Sequence, residues 1–584
     1  MQSEPKSFEH LRDFTATPRM LQLAAMAAIT GTLGAFAAWG LLRLIALFTN
    51  LAYFGRWSTV MTPLPAHLPF ATVAIPIIGS LIVGLMARFG SEKIRGHGIP
   101  EAIEAILIGR SRIDLKVALL KPLSSAISIG TGGPFGAEGP IIMTGGALGS
   151  LFGQLFHLSA AERKSLLVAG AAAGMTAVFG TPIAAVLLAV ELLLFEWKPR
   201  SFIPVTVAAI VSYAWRPFLI GSGPLFPYST LVVMPWWGLG LCAAAGLVAG
   251  VQSAILTLLL YGVEDLFRRL PIHWMWWPAL GGVIVGLGGW VDPAVLGVGY
   301  DNIRALLAGG IGVAAAGRLL WDKALVWIAA LSSGTSGGVL APLLILGGAL
   351  GVVESHWMPF GDAGFWALIG MTAILGGTMR APLTSTLFAV ELTGNLHLLP
   401  QLFVASVAGF GLTVLTLSRS ILTERIARRG LHLTREYGVD PFDVMRVSEI
   451  MAKPVNTLPA SMKVGEAVRF FSTNDPHKSY PVVDEKGHVS GMVSRADVLR
   501  WSREGWGHDD TLGDIKTEMV IAFADELTGA VADRMSETGA SRVPVLARDS
   551  GKLVGLVARR ELLRVRALAL RAERDREGAV PLPG

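Results

Sequence analysis

The feature that most constrains this chain is the number of apolar runs long enough to cross a lipid bilayer. A helix needs about 20 residues to cross the hydrocarbon core. The runs of roughly this length are Met20–Thr49, Pro69–Ala87, Trp236–Tyr261, Trp274–Val291 and Leu402–Ser418, and the first of them is interrupted only by Arg43. A buried soluble core could account for one such run but not for several. The sequence therefore predicts a polytopic protein embedded in the lipid bilayer.

Charged residues are concentrated at the C-terminal end. Of the 144 residues from Pro441 onward, 42 are Asp, Glu, Lys or Arg, against 50 of the first 440. This step predicts an apolar body followed by a water-soluble part. The predicted segments are an N-terminal stretch (1–19), a transmembrane domain (20–430), a linker (431–446), two soluble modules (447–501 and 511–567) and a tail expected to be disordered (568–584).

Basic residues flank the apolar body on both sides. Lys and Arg tend to remain on the cytoplasmic side of a membrane. The flanking residues are Lys6, Arg12, Arg19, Arg425, Arg428 and Arg429. Both termini are therefore expected in the cytoplasm, with the body in the plasma or inner membrane. The net charge of +6 is modest and predicts no nucleic-acid partner.

The body contains an internal repeat. Pro182–Leu192 recurs 200 residues later as Pro382–Leu392. Just upstream of these two copies, Gly174–Ala177 recurs as Gly370–Ala373. Each copy follows a glycine-rich stretch, and glycine and proline at membrane depth indicate broken helices that line a cavity or are covered by protein. Two halves with corresponding broken helices are typical of transporters whose site lies at the repeat interface.

Three glycine-rich loops end in proline and lead into apolar helices: Gly96–Pro100, Gly136–Pro140 and Gly337–Pro342. Proline suits the first turn of a helix, where its missing N–H costs nothing, and glycine lets the backbone approach a bound ion. The free amides and the positive end of the helix dipole then form an anion site without a fixed cation. Such a site binds an anion and also releases it.

Glu138 lies between glycines in the second of these loops. A carboxylate at membrane depth is costly and usually functional. It lies where an anion would also be attracted, so it could occupy the anion site when ionised and leave it when protonated. The alternative is a helix cap in a loop that faces water.

These motifs resemble those of the CLC family of chloride channels and anion/proton antiporters, over about residues 20–430. Gly96–Pro100 is similar to the family's GSGIP motif, Gly136–Pro140 to GREGP and Gly337–Pro342 to the GxFxP region. The resemblance implies an all-α polytopic fold of eighteen helices in an inverted repeat, and a homodimer with one pathway per subunit. It makes Glu138 the gating glutamate and a proton-path candidate. The anion-binding positions that follow from the loops and the resemblance are Gly96, His97, Gly98, Ile99, Gly136, Gly139, Gly338, Val339, Leu340 and Leu422.

The chain departs from the family pattern at several of these positions. His97 replaces a serine, Leu340 a phenylalanine, Leu422 a tyrosine and Ala137 an arginine. His97 could donate an N–H to the anion, more strongly when protonated, or could bond only a neighbouring carbonyl. A fluoride- or nitrate-preferring transporter of the same fold therefore stays open beside chloride.

Proton coupling is the second open question. Proton-coupled members of the family usually carry an inner glutamate, and the matching position here is Leu192, with Glu191 one residue earlier. One residue on a helix is a rotation of about 100°. Glu191 is thus either a proton-path candidate or a structural residue, since Glu391 repeats it. The pattern favours a passive or weakly coupled pathway over tight antiport.

The soluble part contains two similar units. Ser479–Val483 and Arg542–Leu546 read as strands, and each is followed by a matching Gly-containing segment, Gly491–Asp497 or Gly555–Glu561. The pair resembles tandem CBS domains, which are α/β modules that often bind adenine nucleotides. The resemblance makes Ser494, Asp497 and Glu561 nucleotide-binding candidates. A dimerising pair without a ligand is the alternative.

Other function classes have less support. An enzyme is not expected, because the sequence contains no nucleophile–base pair, phosphate-binding P-loop or clustered metal-ligand spacing. No metal and no obligatory cofactor is predicted beyond the nucleotide that the CBS pair leaves open. A CBS-bearing magnesium channel would need acidic or polar cation ligands instead of glycine loops. A nucleotide sensor would explain the soluble part but not the duplicated body.

Overall fold

A computed structural model describes most of the chain. The described residues are 19–107, 111–156, 158–429, 442, 445–472, 478–504, 510–514 and 519–566. The chain divides into two compact units, Met1–Glu436 and Tyr437–Gly584. The predicted N-terminal stretch (1–19, except Arg19), most of the predicted linker (431–446) and the predicted tail (568–584) lie outside the described residues.

The secondary-structure elements in the described part of the first unit are all helices. Its seventeen α-helices are α1 (Arg19–Phe54), α2 (Ala74–Phe89), α3 (Ile99–Leu107), α4 (Leu115–Gly130), α5 (Glu138–Gln154), α6 (Ala160–Phe179), α7 (Pro182–Leu188), α8 (Pro199–Leu219), α9 (Gly238–Arg268), α10 (Trp277–Val291), α11 (Tyr300–Leu307), α12 (Val313–Ser332), α13 (Leu340–Ser355), α14 (Ala363–Met379), α15 (Pro382–Thr393), α16 (Leu399–Thr416) and α17 (Ile421–Ala427). A π-helical segment, Ala189–Leu194, continues α7. Short 3-10 turns are Phe70–Val73, Glu92–Ile94, Trp274–Trp276, Pro293–Val295 and Leu396–Leu398.

Helical segments long and apolar enough to cross a membrane agree in part with the predicted runs. They are Arg19–Phe54, Phe70–Phe89, Pro199–Leu219, Gly238–Arg268 and Leu396–Ala427. Four of them match predicted runs, but the run Trp274–Val291 forms a 3-10 turn and a helix of only 15 residues. Pro199–Leu219 was not among the predicted runs, because two internal prolines and Arg216 interrupt its apolar pattern.

The short helices between the spans are the broken helices that the sequence predicted. α3, α7, α11 and α17 have 9, 7, 8 and 7 residues, too few to cross the bilayer. They are packed among longer helices, of which α14 is buried along nearly its whole length. Backbone groups at helix ends are thus covered by protein rather than by lipid.

Equivalent positions in the two halves make equivalent contacts. Glu191 accepts hydrogen bonds from the first amides of α15, and Glu391 accepts them from the first amides of α7. Two fully buried lysines also correspond. Lys121 lies 17 residues before the first residue of α5, and Lys323 lies 17 residues before the first residue of α13. A reciprocal exchange like that of the two glutamates is what a two-fold relation between two halves produces.

The second unit contains two matching three-stranded sheets. The strands are β1 (Leu458–Pro459), β2 (Ser479–Val483), β3 (Val489–Ser494), β4 (Ala522–Phe523), β5 (Arg542–Leu546) and β6 (Leu553–Ala558), and the helices are α18 (Val447–Ile450), α19 (Val464–Ser472), α20 (Arg495–Glu504) and α21 (Thr528–Thr538). In each sheet the first strand pairs parallel with the second and the second antiparallel with the third. The α/β character predicted for this part is confirmed.

The opening segments of the two modules are exchanged. Val447 belongs to the core of the second module, and its amide donates to the Glu526 carbonyl at 2.9 Å. Leu512 belongs to the core of the first module, and its amide donates to the Met462 carbonyl at 2.9 Å. The two modules therefore fold against each other's chain and form one joined body, which the division of the sequence into separate units did not predict.

Candidate anion site at the helix N-termini

Backbone hydrogen bonds join the three glycine-rich loops. The amide of Gly136 donates to the carbonyl of Gly338 at 3.1 Å, and the amide of Gly338 donates back at 2.9 Å. The amide of Gly96 donates to Thr335 at 3.1 Å, and the amide of Gly337 donates to Gly96 at 3.3 Å. Because α3, α5 and α13 begin within a few residues of these bonds, their N-terminal ends converge.

The convergence depends on glycine at close contacts. A Cβ atom at Gly139 would lie 1.9 Å from the carbonyl oxygen of His97 and 3.3 Å from the Cα of Gly338. No larger residue fits there unless a loop moves. The predicted positions in the three loops are thus brought together, and the first amides of each helix face one small region.

Glu138 is the first residue of α5 and is fully buried. One carboxylate oxygen lies 1.6 Å from the position that a Cβ at Gly136 would take, and 2.9 Å from the equivalent position at Gly338. Neither oxygen has a hydrogen bond of normal geometry to a described residue. The nearest backbone donors are the amides of Glu138 itself and of Ala341. The carboxylate therefore lies where the N-termini of α5 and α13 would hold an anion.

His97 is a buried residue of the first loop, two residues before the first residue of α3. Neither ring nitrogen bonds to any part of the chain that the structure describes. Buried polar atoms are nearly always satisfied, and the two ring nitrogens are therefore available to a bound anion. This geometry favours the donor interpretation over a bond to a neighbouring carbonyl.

Lys121 lies beside the glycine-rich loops and was not among the predicted site residues. Its ammonium group donates to the carbonyls of Ile94 at 2.8 Å and Gly96 at 2.7 Å, and to the Ser336 hydroxyl at 3.0 Å. It thereby holds the first and third loops together and adds a positive charge nearby. Lys121 is the one charged residue of segment 117–130, and that was the available signal.

Charged residues on α17 and α3 form the other boundary of the site. Glu101 is buried and pairs with Arg425 at 3.4 Å and Arg429 at 3.0 Å. Arg425 also donates to the carbonyl of Arg95 at 3.2 Å. These bonds fix α17, which carries the fully buried Leu422, against α3. Leu340 and Leu422 offer no side-chain donor, so at these two positions only the backbone can contact an anion.

Glu191 is hydrogen-bonded at the N-terminus of α15. Its carboxylate accepts from the Thr384 amide at 2.8 Å, the Thr384 hydroxyl at 2.5 Å and the Leu383 amide at 3.3 Å. Leu192, the next residue, is fully buried. Both oxygens of Glu191 are thus used at the N-terminus of α15, a contact that agrees with the structural alternative for this residue.

The nucleotide candidates lie where strands end and helices begin. The Asp497 carboxylate accepts from the Ser494 amide at 3.0 Å and hydroxyl at 2.5 Å, and from Arg500 at 2.9 Å. In the second module Glu561 is buried and accepts from the Ala558 amide at 3.1 Å. Both carboxylates therefore cap a helix, and Asp497 is the more exposed of the two.

No group of three or more His, Cys, Asp or Glu side chains that could hold a metal ion occurs in the described ranges. The fold and the candidate site together define a class of protein. Helices long enough to cross a membrane, duplicated broken helices, and helix N-termini around a buried carboxylate are the features of a polytopic membrane protein with a candidate anion site.

The comparisons with known proteins agree with this class. The family model described as voltage gated chloride channel matches residues 78–413, and the CBS domain model matches 447–504 and 512–568. A ClcB chloride channel of Salmonella typhi is 31% identical over 372 residues, which is 62% of this chain and 87% of the relative. A ClcB of Escherichia coli O81 is 29% identical over 398 residues, or 66% and 94%. The chain belongs to the CLC family, and the resemblance seen in the sequence is confirmed.

Solved structures share the fold. A cyanobacterial Cl⁻/H⁺ antiporter has a TM-score of 0.61 at 23% identity, over 71% of this chain and 99% of that one. A eukaryotic CLC transporter has a TM-score of 0.57 at 18% identity, over 93% and 98%. A CLC-type fluoride/proton antiporter has a TM-score of 0.59 at 19% identity, over 68% and 97%. The relatives and neighbours named here are channels and transporters.

Proposed function

We propose that this protein moves chloride across a membrane through a pathway gated by Glu138. The observation that carries the proposal is the buried Glu138 carboxylate among the N-terminal amides of α5 and α13. An ionised carboxylate and an anion compete for the same positive potential. The similar ClcB proteins are named chloride channels, which supports chloride as the anion.

Gating follows from this competition. When Glu138 is ionised, its side chain occupies the site and excludes the anion. When it is protonated, the neutral group gains little from the helix dipoles, and the anion takes its place. Lys121 and the amides keep the site positive throughout, without an exposed cation that would retain the anion.

Weak or absent proton coupling is the finer part of the proposal. Leu192 cannot carry a proton, and Glu191 is bonded at the start of α15. A proton would then reach Glu138 only through water that enters the pathway. The protein is expected to act as a homodimer in the plasma or inner membrane, with both termini cytoplasmic as the flanking basic residues indicate.

Fluoride is the second candidate, because of one observation. His97 presents two unpartnered ring nitrogens beside the anion site, where a serine hydroxyl is usual in the family. An N–H donor favours a small, strongly hydrogen-bonding anion. One of the fold neighbours is named a fluoride/proton antiporter, although at 19% identity it supports only the fold. Nitrate has no comparable observation in its favour.

The CBS pair is proposed to bind an adenine nucleotide and regulate transport. Ser494 and Asp497 lie at the end of β3, with Asp497 held by Arg500 at 2.9 Å. The ribose hydroxyls of a bound nucleotide would donate to the Asp497 oxygen that now accepts from Arg500. A pair that only joins subunits, without a ligand, would leave these contacts as they are.

The direct test is flux from liposomes that contain purified protein. Anion release and proton movement are recorded together for chloride, fluoride and nitrate across pH 5 to 8, for wild type and Glu138→Ala. The proposal expects chloride release that falls as pH rises, little proton movement, and a pH-independent release in Glu138→Ala. Chloride release with the same pH profile in both proteins would contradict the gate, and release of fluoride alone would favour the second candidate.

A further inference from the structure

Tyr300, the first residue of α11, has a hydroxyl group without an evident structural use. The hydroxyl oxygen is buried and makes no hydrogen bond to the described chain, while the ring is partly exposed. The ring packs edge-on against Phe226, with centroids 5.4 Å apart. A phenylalanine would make the same ring contact without burying an unsatisfied oxygen, so the hydroxyl calls for a partner outside the static structure.

The position of Tyr300 brings this hydroxyl close to the gate. The Gly297 amide, three residues before Tyr300, donates to the Gly132 carbonyl at 3.1 Å, six residues before Glu138. α11 also packs against α13, whose N-terminus contributes to the anion site. Glu138 and Arg304 are the charged groups that interact electrostatically with the Tyr300 hydroxyl.

Tyr300 and the contact between Arg425 and Arg95 lie at opposite ends of α10. The first turn before α10 contains Trp274, whose ring lies 4.5 Å below the guanidinium of Arg95, and Arg95 is bonded to Arg425. The 15 residues of α10 then rise about 22 Å before the loop that leads to Tyr300. Solvent-exposed Arg304 lies one turn further along α11.

We propose that Tyr300 positions the gate: its hydroxyl receives the Glu138 carboxyl group when that group leaves the anion site toward the Arg304 side. The inference rests on the proposed gating role of Glu138. A phenol hydroxyl can donate to a carboxylate or accept from a carboxylic acid, so it holds the displaced group in either protonation state. The bond favours the open state, in which the anion occupies the site.

Tyr300→Phe tests the proposal, because it removes one oxygen atom and keeps the ring. Chloride release from liposomes is measured across pH for four proteins: wild type, Tyr300→Phe, Glu138→Ala and the double variant. Tyr228→Phe is the matched control, since its hydroxyl already has a partner in Asp362 at 2.6 Å. Thermal unfolding of each variant in detergent confirms that it is folded.

The expected result is release slower by on the order of tenfold in Tyr300→Phe, with the pH profile shifted to lower pH. In the Glu138→Ala background the same substitution should change nothing, because no carboxyl group remains to be held. The proposal would be overturned if Tyr300→Phe slowed chloride release equally with Glu138 and with Ala at position 138, or if it did not slow release when Glu138 is present. Either result would leave Glu138 as the gate. If Glu138→Ala behaves as wild type, the gating function and this inference both fail.

Discussion

Glu191 offers a sharp test of how far the family's proton pathway applies to this chain. Its carboxylate makes two short hydrogen bonds with Thr384 and a longer one with Leu383, all at the N-terminus of α15. Glu391 makes the mirror contacts with Ile183 and Ala184, at 3.0 and 2.8 Å. Each glutamate is therefore the other's matched control.

The size of the effect follows from these bonds. Hydrogen bonds to a charged group are worth about 1.5–3 kcal/mol each, and the lower value applies because Glu191 is partly exposed. Glu191→Ala loses both short bonds and should destabilise the protein by about 3 kcal/mol. Glu191→Gln keeps an acceptor oxygen and loses only the charge at the helix end, which costs about 1 kcal/mol.

The assay combines stability with coupling. Unfolding in detergent by chemical denaturant measures the free-energy change, and liposome flux measures the ratio of protons to anions moved. We expect the Gln variants at 191 and 391 to leave this ratio unchanged and the Ala variants to lose similar stability. A ratio altered by Glu191→Gln but not by Glu391→Gln, at equal stability, would refute the structural assignment and make Glu191 part of a proton path.

Three further predictions concern the sites themselves. Lys121→Met should weaken chloride binding in calorimetry by on the order of tenfold, because it frees two loop carbonyls and removes a charge. Lys323→Met also frees two carbonyls, of Val295 and Gly297, but neither belongs to the three glycine-rich loops, so it should affect stability more than binding. His97→Ser should change the chloride-to-fluoride flux ratio by on the order of tenfold, the worth of one hydrogen bond. His67 is exposed, so the control His67→Ser should leave the ratio unchanged. The same flux ratio in wild type and His97→Ser would show that His97 does not contact the anion. ATP should raise the unfolding temperature of the full chain and fail to do so in Asp497→Ala; no rise in wild type would favour CBS domains without a nucleotide.

The loops could be predicted from the sequence because glycine, proline and a membrane carboxylate each have a specific local cause. The motif Gly136–Pro140 places Glu138 at a helix start whatever segments pack around it. The sequence alone was therefore sufficient to predict the position of Glu138. The repeat was visible because both copies of Pro182–Leu192 keep the proline at the first helical position. These are local signals, and they specify local structure well.

Features that depend on contacts between distant segments could not be predicted in the same way. Lys121 is part of the site only because Gly96 and Ser336 fold around its ammonium group. The hydroxyl of Tyr300 is informative only because nothing described bonds it. The exchanged opening segments of the CBS pair likewise follow from packing between modules. α8 was not predicted because Pro204, Pro217 and Arg216 interrupt its apolar pattern, although the helix packs against α1 and α6.

The central claim is that the Glu138 carboxylate and a transported anion share one site at the N-termini of α5 and α13. Crystals of wild type and Glu138→Gln, both grown in bromide at neutral pH, test it most directly through the anomalous signal of the ion. The account predicts bromide between the amides near Gly136 and Ala341 in Glu138→Gln, and the carboxylate there in wild type. The account would be contradicted if neither crystal showed bromide at that position. It would also be contradicted if the wild-type crystal showed bromide there at full occupancy beside a carboxylate that had not moved.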